Sequence, residues 1–284
     1  MQRITAVSVP VLLLFLPALA GLLLVGPLET LFGEDIMKKS DIVKTVEITV
    51  VYDNVEYDPE YTTGFGFSAF IEATVETGDN RSTIQILFDT GGDYATLAKN
   101  LATAGVEVSN IDAVVISHNH FDHTGGFNKL ISNIPSVPAY LPKTVPLRNR
   151  FSSTSVDNPI KVQKEPVEIF PGVYSTGILG TSIKEQSLVL RTSGGLVLIT
   201  GCAHPGIVHI CRTAVKQFDD HLYLVMGGFH HPPESAVTAL KELGVRNVAP
   251  SHCTGTSGMA AFANVFGNHY IKSGVGKHIK IFPD

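Results

Sequence analysis

The chain has 284 residues, 44% of them apolar, enough to bury one large core or two small ones, which excludes overall disorder. Its 21 Lys and Arg against 26 Asp and Glu leave a net charge of -5 without basic clusters, so nucleic acid is a poor partner. Three cysteines, Cys202, Cys211 and Cys253, are too few and too odd a set for the disulfide framework of a small secreted domain.

In chain order, the first feature is an uncharged apolar run from Ile4 to Leu28, long enough to cross a hydrocarbon layer of roughly 30 Å. Residues 1–28 therefore read as a membrane anchor; a cleaved signal segment ending near Ala18-Leu19-Ala20 is the alternative, and would make the protein secreted. Arg3 before the run and Lys38, Lys39 and Lys44 after it push only weakly toward a cytoplasmic catalytic part, so the side of the membrane stays open. Residues 29–46 are mixed and charged, which suits a linker, and the catalytic domain is expected over 47–284.

That domain opens with three stretches rich in β-branched and aromatic residues, EITVVYDN (47–54), FSAFIEATVE (67–76) and STIQILFDT (82–90), all expected as strands. YATLAKNLATAG (94–105) has helical apolar spacing and stops at Gly105, and AVVIS (113–117) reads as a buried strand. Farther on, LVLRT, GLVLITG and LYLVMGG read as strands, while HPGIVHICRTAVKQF and ESAVTALKELG read as helices, with Cys211 in helix core. Strands interleaved with helices predict a layered α/β domain. The polar, aperiodic stretch 142–163 is expected to loop over a site, and its Lys143, Arg148, Arg150 and Lys161, with Lys164 just beyond, are candidates to hold an anionic substrate.

The chemistry concentrates in HNHFDHTGG, from His118 to Gly126, directly after the AVVIS run. Imidazole and carboxylate are the usual ligands of borderline divalent metals, and a strand end entering a tight loop converges several of them on one point. His118 and His120, two apart, point to one side of an extended backbone, whereas Asp122 and His123 sit where the chain turns and face a second ion. The spacing predicts two divalent metal ions, Zn by preference with Mn or Fe as alternatives, and a bridging hydroxide as nucleophile. Asp122 and His123 are the expected catalytic pair within that set.

This H-x-H-x-D-H pattern after a buried strand resembles the signature of the metallo-β-lactamase superfamily, which implies an αββα four-layer sandwich, here preceded by the N-terminal apolar helix. GFGFSAFIE (64–72), LFDTGG (87–92), TGCAHPGIVHI (200–210), GGFHH (227–231), APSHCTG (249–255) and GVGK (274–277) resemble its dihydropteroate-synthase-like branch. That branch is named for an enzyme joining a dihydropterin to a ribofuranosylaminobenzene phosphate. The resemblance implies His204 as the third histidine on the first metal and His252 as the terminal ligand of the second. It also implies Asp89 as a carboxylate supporting the ligands, and Lys277 as a phosphate contact. Taken alone, His204 and His252 read more readily as structural residues. Many superfamily members bridge the metals with a carboxylate from a late strand, but LYLVMGGFHH offers glycines there, and His230 or His231 is left to compensate, with His230 preferred. Cys202 and Cys253 are expected to pack around the site as small buried side chains rather than as thiolate ligands.

Three functions follow. The first is a metal-dependent hydrolase of a small molecule, the second a dihydropterin transferase acting on a pterin diphosphate and an arylamine phosphate. The third is a membrane-tethered metal sensor without turnover. No GxSxG elbow, P-loop or G-x-G-x-x-G opening a helix supports a serine hydrolase, an NTPase or a dinucleotide enzyme.

Overall fold

A computed structural model describes residues 42–77, 80–145, 157 and 159–282. The apolar run Ile4–Leu28 lies outside these residues, as do the linker up to residue 41 and residues 146–156 of the expected loop. Among the described residues no helix is long and apolar enough to cross a membrane.

The elements run β1 (Val43–Asp53), β2 (Phe67–Thr77), β3 (Asn80–Phe88), α1 (Tyr94–Thr103), β4 (Ala113–Val115), α2 (Phe121–Thr124), α3 (Phe127–Asn133), β5 (Ala139–Pro142), β6 (Pro159–Val162), β7 (Val167–Phe170) and β8 (Val173–Ser175). They continue with β9 (Leu188–Thr192), β10 (Gly195–Thr200), α4 (Ile207–Phe218), β11 (Leu222–Gly228), α5 (Glu234–Glu242), β12 (Asn247–Ser251), α6 (Gly255–Phe266) and β13 (His278–Ile281). The first strand starts at Val43, inside the expected linker, because Val43 and Val46 are fully buried and Val43 pairs with Thr192 of β9.

The fold is a mixed α/β architecture on one large sheet. Its path is β12-β11-β10-β9-β1-β2-β3-β4-β5-β6, with β13 on β1 and the β7-β8 hairpin on β9. The ladder is thus continuous, where the resemblance led us to expect two separate sheets; its halves join through the parallel pair Val43↔Thr192. One apolar cluster takes inward residues from both halves, including Ile48, Phe67 and Ile86 from one and Leu190, Ile199 and Met226 from the other. A second lies on the opposite face of the first half, where Val51, Leu87 and Val114 meet Leu97 and Leu101 of α1 and Leu130 of α3. Period-two alternation separates these clusters: Ile86 and Phe88 belong to one and Leu87 to the other.

Local chemistry sets the helices. Asp93 caps α1 by accepting the Thr96 N–H at 2.8 Å, and Gly105, at φ 73°, lets the chain leave it. Along α4, Ile207, Ile210, Cys211, Ala214 and Phe218 form one buried stripe. The sequence pattern did not predict α6, whose Gly-Ser-rich GTSGMAAFANVF start has weak intrinsic propensity. Burial of Phe262 and Phe266, with Phe262 edge-on to Phe229 at 5.2 Å, holds it helical. The stretch expected as one loop over 142–163 contains the strand Pro159–Val162, which pairs with β5.

Candidate metal centre

Five strands deliver the site from their carboxyl ends. β3 leads into Asp89, β4 into Ser117 and His118, β10 into Cys202 and His204, β11 into His230, and β12 into His252. Because β3 runs parallel to β4, and β10 and β12 both run parallel to β11, their carboxyl ends lie together within each group. Backbone strain gathers here too. Five of the six non-glycine residues with positive φ among the described residues are Asp89, Ala203, His230, His231 and His252, each a conformation costing on the order of 1–3 kcal/mol.

The imidazoles form one group. His118 has ring centroids of His123, His120 and His204 at 4.2, 4.6 and 4.8 Å, His123 lies 5.1 Å from His252, and His204 lies 4.3 Å from His230. Hydrogen bonds on the far nitrogens set the ring orientations. His118 Nδ1 donates to Ser117 Oγ at 2.9 Å, which in turn donates to Asp89 Oδ2 at 2.7 Å. His123 Nδ1 donates to the same Asp89 oxygen at 2.7 Å, and His252 Nδ1 to Asn54 Oδ1 at 2.7 Å. Each bond leaves Nε2 directed at the centre, the arrangement by which supporting groups fix the tautomer of a metal ligand. His118 Nε2 is buried and has no hydrogen-bond partner. On the other side, His204 Nε2 and His120 Nδ1 approach to 3.2 Å.

A carboxylate and a thiol complete the set. Asp122 Oδ2 lies 3.4 Å from His123 Nε2 and 3.3 Å from His252 Nε2. Cys202 Sγ lies 3.2 Å from His123 Nε2 and 3.4 Å from His252 Nε2. Ligand atoms of Asp122, His123, Cys202 and His252 fall within 4.8 Å of one another, as do those of His118, Cys202 and His204, and those of Cys202, His230 and Cys253. Such His/Asp/Cys clusters, with an orphaned buried imidazole nitrogen among them, fit metal binding.

The charge state of four rings agrees with that fit, whereas His123 and Cys202 hold protons that a metal would have to displace. Burial, followed by the neighbouring imidazoles, holds His118 far below the ordinary imidazole range, and burial with His230 and His120 lowers His204 to about 4. Burial also lowers His252 and His230. These four rings are neutral donors at pH 7. Burial alone would depress His123 as well, but the Asp89 and Asp122 carboxylates outweigh it and push it up to about 10. Burial would raise Asp122, yet its bonds to His123 and His252 hold it well below the usual carboxylate range. The Cys202 thiol is pushed far above the ordinary range, first by Cys253 and then by burial.

Sequence reasoning overlooked Glu185. This buried carboxylate accepts the backbone N–H groups of Cys202 and Ala203 on Oε1, at 2.9 and 2.8 Å, and that of His204 on Oε2 at 2.8 Å. One side chain thus clamps the turn that carries Cys202 and His204, Ala203 at φ 60° included. A lone acid in KEQS carries no pattern that announces such a role. Asn54 was overlooked for the same reason.

Other expected contacts fall elsewhere. Lys277 donates to Tyr57 Oη at 3.1 Å and lies 4.6 Å over its ring, so among the described residues it engages Tyr57 rather than the imidazoles. His230 is exposed and its backbone N–H meets Cys253 Sγ at 3.3 Å, placing its ring beside His204 at the rim. Next to this rim is a cavity of about 450 Å³ lined by His204, Ile207, Arg212, Phe229 and His230. A second cavity of about 640 Å³ gathers Lys143, Lys161, Lys164 and Lys184, and burial lowers Lys161. It neighbours the His204 turn, since the lining Gly180 packs against Pro205. Arg148 and Arg150 lie outside the described residues.

The family model of the metallo-beta-lactamase superfamily matches residues 80–252, which span the imidazole cluster from Asp89 to His252. The chain belongs to the metallo-beta-lactamase superfamily. Within it, the chain is 26% identical to the 7,8-dihydropterin-6-methyl-4-(beta-D-ribofuranosyl)-aminobenzene-5'-phosphate synthase of Methanocaldococcus jannaschii, over 82% of this chain and 95% of that one. An uncharacterized protein of the same organism is 28% identical over 82% of this chain and 100% of its own length. Among solved structures, Tm1679, described as a metal-dependent hydrolase of the beta-lactamase superfamily, superposes with a TM-score of 0.66 at 26% identity, covering 84% of this chain and 99% of that one. The metallo-beta-lactamase fold protein YhfI from Bacillus subtilis shares the fold, with a TM-score of 0.56 at 17% identity over 84% of this chain and 99% of its own.

Proposed function

We propose that this superfamily member is a metal-dependent hydrolase in which His118, His120 and His204 hold one divalent cation and Asp122, His123 and His252 a second. The carrying observation is the buried, unpartnered Nε2 of His118, which faces a cluster of further imidazoles whose outer nitrogens are engaged elsewhere. Zn is the preferred ion, with Mn or Fe as alternatives, since imidazole and carboxylate accept all three. Divalent ions held there supply Lewis acidity and a water of lowered pKa.

The chain's own residues do the rest. Asp89 orients His123 and, through Ser117, His118; Asn54 orients His252; Glu185 fixes the turn that presents His204. Arg212 in the adjoining cavity and the lysines of the second cavity favour an anionic small-molecule substrate. His230 at the rim is placed to contact that substrate or to join the His204 side. We keep Lys277 as a more distant phosphate contact reached through the Tyr57 side of the molecule.

One observation favours a second reading, transfer of a pterin from its diphosphate to an arylamine phosphate: the similarity to the Methanocaldococcus jannaschii synthase covers 95% of that relative. The deciding experiment is turnover by the purified full chain loaded with Zn, Mn or Fe. Hydrolysis of esters, lactones or phosphodiesters, lost in His120→Ala, supports the hydrolase; consumption of pterin diphosphate only when an arylamine is present supports the transferase. Tight metal binding without either reaction would leave a metal sensor. For Ile4–Leu28 we propose membrane attachment, tested by whether the full chain sediments with membranes and is released by detergent but not by salt.

A further inference from the structure

Among the described residues, Cys202 belongs to ligand-distance groups in both halves of the candidate metal centre. Its Sγ shares one ligand-distance cluster with Asp122, His123 and His252 and another with His118 and His204. A sulfur that merely packs would meet carbon; this one lies 3.2 and 3.4 Å from the Nε2 atoms of His123 and His252. Residue 202 is only 3% exposed, and its backbone N–H is held by buried Glu185 at 2.9 Å, so the main chain that carries the sulfur is held in place.

Space and charge single out the same atom. No side chain can reach in from Gly228, because a Cβ there would stand 2.4 Å from Gly201 O and 2.7 Å from Cys253 Sγ. Without another anion, two dications would face five neutral imidazoles and the single carboxylate of Asp122. A thiolate between them doubles the ligand charge and suits a borderline cation such as zinc.

We propose that Cys202 Sγ is the ligand shared by the two metal subsites. The inference rests on the dinuclear reading above. On binding, the S–H bond breaks, the sulfur donates its electron pairs to the two cations, and the proton leaves to solvent.

Titrating the full-length, metal-free protein with cobalt(II) tests this through the thiolate-to-cobalt charge-transfer absorption in the near ultraviolet, with bound cobalt measured in parallel. Wild type and Cys253→Ala are expected to develop the band over both the first and the second equivalent. Cys202→Ala and Cys202→Ser are expected to lose it, together with about one of two bound equivalents. Cobalt bound by wild type without the band overturns the proposal while leaving the dinuclear reading intact, and so does a band that survives in both Cys202 variants. A band complete after one equivalent, with a second ion still binding, makes Cys202 a terminal ligand and overturns the sharing. Wild type that binds no cobalt, zinc or manganese overturns the dinuclear reading itself.

Discussion

Removing the Glu185 carboxylate should cost both stability and metal retention, by amounts the structure allows to be worked. The side chain is 1% exposed and satisfies three consecutive backbone N–H groups within 2.9 Å. Glu185→Ala leaves three buried donors; at about 1–3 kcal/mol for each unsatisfied group, and with some reached by water, the net loss is on the order of 3–5 kcal/mol. Glu185→Gln is the sharper probe. Its amide oxygen can still serve Cys202 and Ala203, but its NH₂ group opposes the His204 N–H, so about one bond's share, roughly 1–2 kcal/mol, should go. The turn it restrains carries Cys202 and His204, so metal affinity should fall in the same order, wild type above Gln above Ala. Chemical denaturation of metal-free protein and competition with a chelator measure the two effects. Unchanged unfolding midpoints and unchanged metal affinity in Glu185→Ala would refute the clamp.

Other outcomes follow from the same geometry. His123 is raised to about 10 in the metal-free protein, so its imidazolium is favoured below the unfolded value near 6.5, and that stabilisation fades as pH rises through 10. A metal must displace that proton, so apparent affinity should climb about tenfold per pH unit between pH 7 and 9; a flat profile in a chelator competition would contradict it. Asp89→Asn, which disturbs the bonds to His123 and Ser117, should weaken metal binding by about 10–100-fold in the same titration while secondary structure is kept. Gly228→Ala puts a methyl 2.4 Å from Gly201 O and 3.1 Å from His252 Cδ2. It should cost about 1–3 kcal/mol in denaturant melts and loosen the His252 side of the centre.

Features that depend on neighbours along the chain are legible without the fold. Period-two and helical apolar spacing located β1 to β4, β9 to β11, α1, α4 and α5, because those elements bury one face or stripe. The dense His118–His123 motif placed four candidate metal-ligand side chains within six residues. Local signals fail where packing outweighs propensity, as in α6, where buried Phe262 and Phe266 prevail over a Gly-Ser-rich start, or in short pairings such as β5 with β6.

Which distant residues join that motif follows from the packing of the strands. His204 and His252 arrive from the ends of β10 and β12 because parallel pairing aligns those ends beside β11. The same alignment brings Cys202 between the two groups of imidazoles, and it buries Glu185 beneath three amides contributed from 17 to 19 residues away. The physical reason is that spacing along a chain reports which face a residue occupies. Convergence of ligands depends on strand order and register, and no short stretch of sequence contains either.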